Sequence, residues 1–235
     1  MTDSGASPRA TAAAGRPIIV LLGVAGAGKG TQAAILAAEL ELMHLATGDL
    51  FRRALRDGTP LGEQARTFME RGDLVPDDIT TRLVVEALAG PAAARGAILD
   101  GFPRTTAQSE ALDEQLTAWG EAVGRVILIE VPVEVLIARL SGRLICPTCG
   151  TPYHVTGDPP RVAGRCDRDG TELVQRDDDR PEVVRARLEK QIPPLEEVIA
   201  YYQRMGGVVR VDGLQPIHTV TAALRAALRG IVDRG

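Results

Sequence analysis

The segment from Pro17 to Thr31 constrains this chain more than any other. Pro17-Ile18-Ile19-Val20-Leu21-Leu22-Gly23 is a continuous apolar run, β-branched at its start and closed by glycine. That is the pattern of a strand buried on both faces of a parallel sheet. Gly23-Val24-Ala25-Gly26-Ala27-Gly28-Lys29-Gly30-Thr31 follows, and apolar residues then recur at helical spacing from Gly28 to Leu42. Strand, glycine loop and helix in that order form an anion cradle. Glycines let successive N–H groups turn inward, the helix start adds a partial positive charge, and Lys29 adds a full one. The general phosphate-loop spacing puts Ser or Thr directly after the lysine. Here Gly30 intervenes before Thr31, which points to a subfamily of the motif. The bland alternative is a glycine-rich turn with an incidental lysine, and the strand before and helix after argue against it.

The same alternation recurs downstream. Ala97 to Leu99, Val126 to Val131 and Val208 to Val211 read as further buried strands. Helical patterns run from about Thr105 to Trp119, Val133 to Leu140, Glu182 to Met205 and Ile217 to Ile231. Strands alternating with helices predict a parallel α/β sheet covered on both faces. Two stretches break the rhythm. Thr47 to Ala89 is helical, punctuated by Gly58-Thr59-Pro60, Gly72 and Pro76, with no clear strand; Arg143 to Val174 is rich in Gly, Pro, Cys and Asp. Both read as insertions projecting from the sheet core.

Composition removes several classes. At 235 residues and 45% hydrophobic content the chain can bury a sizeable core. A net charge of -4 argues against a dedicated nucleic-acid binder, and no apolar run approaches the roughly 20 residues of a membrane helix. Residues 1–16 lack both a basic start and an apolar core, so they read as a disordered tail rather than a secretory signal, a transit peptide being the weaker choice. The cytoplasm is the expected address. Lysine occurs only at Lys29 and Lys190, so a lysine within the glycine loop stands out against an arginine-dominated background.

Taken as a set, the remaining motifs resemble the adenylate kinase family. Gly26 to Thr31 is similar to its G-x-G-K-G-T. Thr47-Gly48-Asp49-Leu50-Phe51-Arg52 resembles its T-G-D-hydrophobic-hydrophobic-R, and Gly72-Asp73-Leu74-Val75-Pro76 its G-x-L-V-P turn. Asp100-Gly101-Phe102-Pro103-Arg104-Thr105 matches D-G-F-P-R-T, with Gln108 at the expected spacing. Arg139 and Arg143 resemble the pair that enters that family's lid; Arg176-Asp177-Asp178 and Arg187 resemble the segment that leaves it. The likeness runs from about Arg16 to the C-terminus. One departure is Ala25, where the family usually has proline.

The resemblance implies a P-loop nucleoside-triphosphate fold comprising residues 17–235: a core of 17–45, 90–141 and 177–235, a helical NMP-binding insertion at 46–89, and a small β zinc-ribbon lid at 142–176. The implied reaction is ATP + AMP = 2 ADP, with Mg²⁺ accompanying ATP. Such a transfer needs charge neutralisation and alignment rather than a base, because the acceptor is already an anion. Lys29, Arg52, Arg104, Arg139, Arg143, Arg176 and Arg187 would converge on phosphates, the arginines through forked bonds that lysine cannot make. Asp100 would hold water of the Mg²⁺ shell. Gly26, Ala27, Gly28, Gly30 and Thr31 would cradle ATP, with Pro152, Tyr153 and Gln215 at base-contact positions. AMP would meet Thr47, Asp73, Leu74, Val75, Gly101, Phe102, Pro103 and Gln108, whose amide offers both donor and acceptor to adenine; Leu74, Val75 and Phe102 read equally well as ordinary core residues.

Cys146-Pro147-Thr148-Cys149 is one knuckle, and Cys166-Asp167-Arg168-Asp169 supplies a second in which Asp169 stands where a fourth cysteine would. This spacing suits a tetrahedral structural Zn²⁺. Asp167 is the rival ligand at the wrong spacing, and three unligated thiols are the bland alternative. A kinase acting on UMP or CMP is the nearest competing function, which the long lid, Thr105 and Gln108 disfavour. A zinc-ribbon ATPase that binds nucleic acid is the competitor of another class, and 3% aromatic content disfavours it. ATP, AMP and ADP are thus the expected partners of a monomer, with no nucleic acid and no membrane.

Overall fold

The computed structural model describes residues 15–70, 73–176 and 179–232. Gly72, Asp177, Asp178 and all but the end of the N-terminal tail lie outside the described residues. Five strands, β1 (Ile18–Leu22), β2 (Met43–Ala46), β3 (Ala97–Asp100), β4 (Val123–Glu130) and β7 (Val209–Asp212), pair in the order β2-β3-β1-β4-β7, every ladder parallel. β1 is central and buried along its whole length, as its unbroken apolar run requires. The architecture is α/β, with helices on both faces of a parallel sheet.

Strand periodicity divides the core into two. Ile19 and Leu21 of β1 face one cluster with Ile98, Ile127, Ile129 and Val211, packed by α1 (Lys29–Leu40), α6 (Val133–Ser141) and α8 (Ile217–Leu228). Ile18, Val20 and Leu22 face the other with Leu45, Leu99 and Leu128, packed by α4 (Asp77–Ala89) and α5 (Thr106–Ala118). The 25-residue α7 (Pro181–Met205) serves both clusters, Val184 and Leu188 in the first and Val198 and Tyr202 in the second. It continues through Pro193 and Pro194, each of which lacks an amide donor, because burial on either side of them holds the helix.

Three elements differ from the sequence expectation. β2 was not foreseen: it is an edge strand paired only to β3, half-exposed and carrying His44, so it shows no apolar run. β4 starts at Val123 rather than Val126, since Gly124 and Arg125 interrupt its hydrophobic signal. α8 stops at Leu228, before Gly230 at φ 75.

Between β2 and β3 the chain forms α2 (Thr47–Arg56), α3 (Pro60–Glu70) and α4, with a small core of Phe51, Ala65 and Val75 against Phe68, Met69, Ile79 and Leu83. After α6, β5 (Arg143–Ile145) and β6 (Pro152–His154) pair antiparallel, and bridges Ile145–Val174 and Arg165–Glu172 complete a ribbon. Its own core is Cys146, Tyr153, Cys166 and Leu173. Among the described residues no helix is long and apolar enough to cross a membrane.

Candidate active site

The site forms where β1 and β3 end side by side, Leu21 in register with Asp100. β1 gives way to a loop whose Gly23, Gly26 and Gly28 stand at φ 140, 84 and 96, angles that a residue with a side chain rarely adopts. Gly28 caps α1 without any side-chain capping bond, so the first N–H groups of the helix are left to an anion. Ala25, at the family's usual proline, has an N–H that donates to Gln191 Oε1 at 3.5 Å, a long contact to α7 that proline could not make.

Lys29 opens α1 and its Nζ donates to the Val24 carbonyl at 3.1 Å. Burial is the main force lowering its pKa to about 8, and Arg104, Arg187 and Arg143 push the same way against Asp100. Arg104 is lowered to about 10, first by burial and then by Arg187 and Arg52, again against Asp100. Lys29 and Arg104 thus share Asp100 as a counter-charge while neighbouring arginines oppose both. Burial alone would raise the Asp100 pKa, but a hydrogen bond from His44 together with the charges of Lys29, His44 and Arg104 holds it below the usual range. Its side chain lies so close to the loop that a Cβ on Gly30 would sit 3.3 Å from Oδ2. A cationic pocket at a helix start, with one ionised carboxylate at its wall, fits a polyphosphate and a hard cation such as Mg²⁺.

The other arginines are held by the protein itself. Arg139 Nη2 donates to the Gly213 carbonyl at 2.8 Å. Arg143 is bound through two bonds by Asp179, whose side chain is fully buried. Arg52 pairs with Asp49 on α2, and Arg176 precedes Asp179, whose N–H its carbonyl accepts at 3.1 Å. Ala27 is buried in the core, while Gly26, Gly30 and Thr31 line the loop and helix start.

At the start of α2, Thr47 Oγ1 donates to the Gly101 carbonyl at 2.9 Å. Gly101 stands at φ 77, and a Cβ there would meet Arg104 Nη2 at 2.9 Å and Thr47 Oγ1 at 3.1 Å, so only glycine permits this approach. Arg104 Nε donates to the same carbonyl at 2.7 Å. Phe102 is fully buried in the sheet core, which leaves its backbone as the only part that can meet a ligand; the bond to Pro103 is cis. Val75 belongs to the insertion's core, and Leu74 is half-buried beside it. Asp73 pairs with Lys190 of α7 at 2.6 Å. Gln108 is buried and engaged with Asp77 and the Arg104 N–H, each at 2.7 Å.

In the β5–β6 ribbon, Pro152 is exposed, whereas Tyr153 is buried with its hydroxyl against Cys166 Sγ at 3.5 Å and accepting the Asp167 N–H. Gln215 Nε2 donates to Asp212 at the end of β7. Cys146, Cys149, Cys166 and Asp169 offer four ligand atoms within 4.8 Å of one another. The Cys149–Cys166 sulfur separation is 3.5 Å and Cys146 Sγ lies 3.4 Å from Asp169 Oδ2. Tetrahedral zinc with bonds of about 2.3 Å to sulfur needs ligand spacings of roughly 3.5–3.8 Å. Hydrogen bonds from Thr171 keep Asp169 well below the usual carboxylate range, as an ionised ligand requires. The donor set fits a closed structural site.

Sequence reasoning passed over His44, Asp77 and Asp179. Each holds a singled-out residue rather than standing in a motif, and only the adjacency of Asp77 to the G-D-L-V-P turn and of Asp179 to Arg176-Asp177-Asp178 offered a signal.

Comparison with known proteins places these features. The family model described as "Adenylate kinase" matches residues 21–207. An adenylate kinase of Oceanobacillus iheyensis is 47% identical over 210 residues, covering 89% of this chain and 98% of its own. That of Exiguobacterium sibiricum is 46% identical, covering 90% and 99%, and that of Bacillus subtilis 44% identical, covering 91% and 98%.

Proposed function

The chain belongs to the adenylate kinase family and is a phosphotransferase interconverting ATP + AMP and 2 ADP, and we propose that it does so by direct in-line transfer within the cluster around Lys29 and Asp100. The observation that carries this reading is the convergence of Lys29 and Arg104 on Asp100 at the start of α1, with Arg143 and Arg187 close enough to disfavour the charge of Lys29. A highly charged anion suits such an arrangement, and two facing phosphate chains do so best. The bond from the γ-phosphorus to the oxygen of the leaving ADP breaks as one forms to a phosphate oxygen of AMP, which needs no proton removed.

Residue roles follow from position. The Gly26–Thr31 loop and Lys29 bind the β and γ phosphates of ATP, Arg139, Arg143, Arg176 and Arg187 neutralise the transferring group, and Arg52 and Arg104 hold the AMP phosphate. Mg²⁺ bound with ATP would supply charge neutralisation, and Asp100 is the residue that would hold its water shell, oriented by His44. Residues 46–89 act as the acceptor-binding insertion and residues 142–176 as a lid that excludes water. Thr47, Asp73, Leu74, Val75 and Gln108 surround the AMP nucleoside, and the Gly101–Pro103 backbone lies on its phosphate side; Pro152, Tyr153 and Gln215 flank the ATP base, Tyr153 through its backbone. Cys146, Cys149, Cys166 and Asp169 would hold Zn²⁺ as a cross-link without an open position. A single chain supplies both insertions and every assigned cation, which supports a monomer, and three cysteines clustered without a disulfide support a cytoplasmic setting.

ADP formation from ATP with AMP, CMP, UMP and GMP side by side tests the reading. AMP is expected to be preferred strongly in kcat/KM, because a site built on hydrogen bonds leaves polar groups unpaired with the wrong base. Comparable values for AMP and CMP would overturn the assignment.

A further inference from the structure

Three residues close a ring of hydrogen bonds where the helical insertion meets α5, and the Arg104 N–H joins it from outside. Gln108 Oε1 accepts the Arg104 N–H at 2.7 Å, and Gln108 Nε2 donates to Asp77 Oδ1 at 2.7 Å. Asp77 Oδ2 accepts from Thr105 Oγ1 at 2.8 Å, and Thr105 Oγ1 in turn accepts the Gln108 N–H at 3.2 Å as the cap of α5. Asp77 itself comes from the first turn of α4, so the ring joins two segments of the chain.

The chemistry of the ring leaves its direction no freedom. A backbone N–H only donates and a carboxylate only accepts. Turning the Gln108 amide end for end would set Oε1 against the Asp77 oxygens and Nε2 against the Arg104 N–H, replacing two hydrogen bonds with two repulsions. The anchored amide keeps one free N–H on Nε2 and one free lone pair on Oε1. Adenine presents the complement, an acceptor at N1 and a donor at its 6-amino group. Hypoxanthine presents the reverse, a donor at N1 and an acceptor at O6, which only the reversed amide could meet.

We propose that Asp77 is a positioning residue for acceptor-base selectivity, fixing the orientation of the Gln108 carboxamide so that a 6-aminopurine is accepted and a 6-oxopurine rejected. This rests on the reading that Gln108 contacts the acceptor base. IMP is the informative competitor, since it lacks the 2-amino group of GMP and isolates the reversal of donor and acceptor.

Asp77→Asn keeps the shape of the side chain but can donate as well as accept, giving a reversed Gln108 one partner. The Arg104 N–H still favours the original orientation, so AMP preference falls without vanishing. The expected result is a drop of about tenfold in the AMP/IMP ratio of kcat/KM, the scale of one hydrogen bond to a charged group, arising from better use of IMP with KM for ATP unmoved. A merely structural role would weaken both acceptors together and leave the ratio in place, which overturns the proposal. Gln108→Leu, measured in parallel, is expected to raise KM for AMP and erase the AMP/IMP difference. If it does so while Asp77→Asn leaves the ratio intact, Gln108 contacts the base and the orienting role of Asp77 is wrong. If Gln108→Leu changes neither quantity, the base contact fails and the proposal with it. Should Asp77→Asn fold poorly, equilibrium binding of AMP and IMP to Asp77→Ala at low temperature decides the matter, an undiminished ratio counting against it.

Discussion

Replacing Lys29 by Met should make the nucleotide-free protein more stable while removing most of its activity. The lysine lies where burial and three arginines oppose its charge, and its pKa stands at about 8 instead of 10.5. At 1.36 kcal/mol per pH unit, the charged form is disfavoured by about 3 kcal/mol relative to the unfolded chain. Methionine keeps the unbranched stem and discards the charge. Against that gain, the Val24 carbonyl loses a donor, about 1 kcal/mol, and Asp100 loses a favourable neighbour. The net expectation is stabilisation of about 1–2 kcal/mol, or roughly 2–8 °C in Tm for a chain of this size. The sign of the pH dependence is also determined. Below about pH 8 both folded and unfolded lysine are charged, and the penalty is present in full. Between about 8 and 10.5 the folded state releases its proton first, so wild type recovers and the variant's advantage closes. Thermal melts without nucleotide at pH 7 and pH 9.5, paired with turnover at pH 7, measure both parts. A variant that melts below wild type at pH 7, or that keeps its kcat, would refute the reasoning.

Arg104→Ala is expected to cut turnover by orders of magnitude while leaving a cooperatively folded protein, because its charge is already disfavoured by burial; unchanged kcat in the folded variant contradicts its role. Metal analysis is expected to give about one zinc per chain. Stripping it with a strong chelator, or making Cys149→Ser, should lower Tm and raise KM for ATP with activity surviving at low temperature, since a ribbon with a core of four buried residues depends on its cross-link. A metal-free form of equal heat stability defeats that role.

Legibility from the sequence followed burial and backbone chemistry. β1, the glycine loop and α1 were readable because a strand buried on both faces and a loop needing positive φ leave few residue choices. The cations proposed to hold phosphate were singled out only as a set, by resemblance, since any one arginine in isolation looks like a surface charge. What stayed hidden is long-range pairing. His44 lies 56 positions before Asp100, and Asp77 31 before Gln108. Nothing local in either stretch announces the partner, and β2 was missed for the same reason: its meaning comes from β3.

These hidden partners bear on how binding energy is divided among the cations. Buried donors left without acceptors are costly, and here each has a substitute within the protein. Lys29 and Arg139 rest on neutral carbonyls, Val24 and Gly213. Exchanging a carbonyl for a phosphate converts an ordinary hydrogen bond into a charge-assisted one, roughly twice as strong. Arg143 already makes two bonds to the buried Asp179 carboxylate, so a phosphate returns little that it does not already have, and leaving Asp179 unpaired carries its own penalty. Equal formal charges therefore make unequal contributions. On the proposed roles, Lys29, Arg104 and Arg139, each resting on a neutral carbonyl, would gain most when nucleotide binds, whereas Arg143 would contribute where Asp179 and phosphate can be held together, by dividing the five donors of one guanidinium between them.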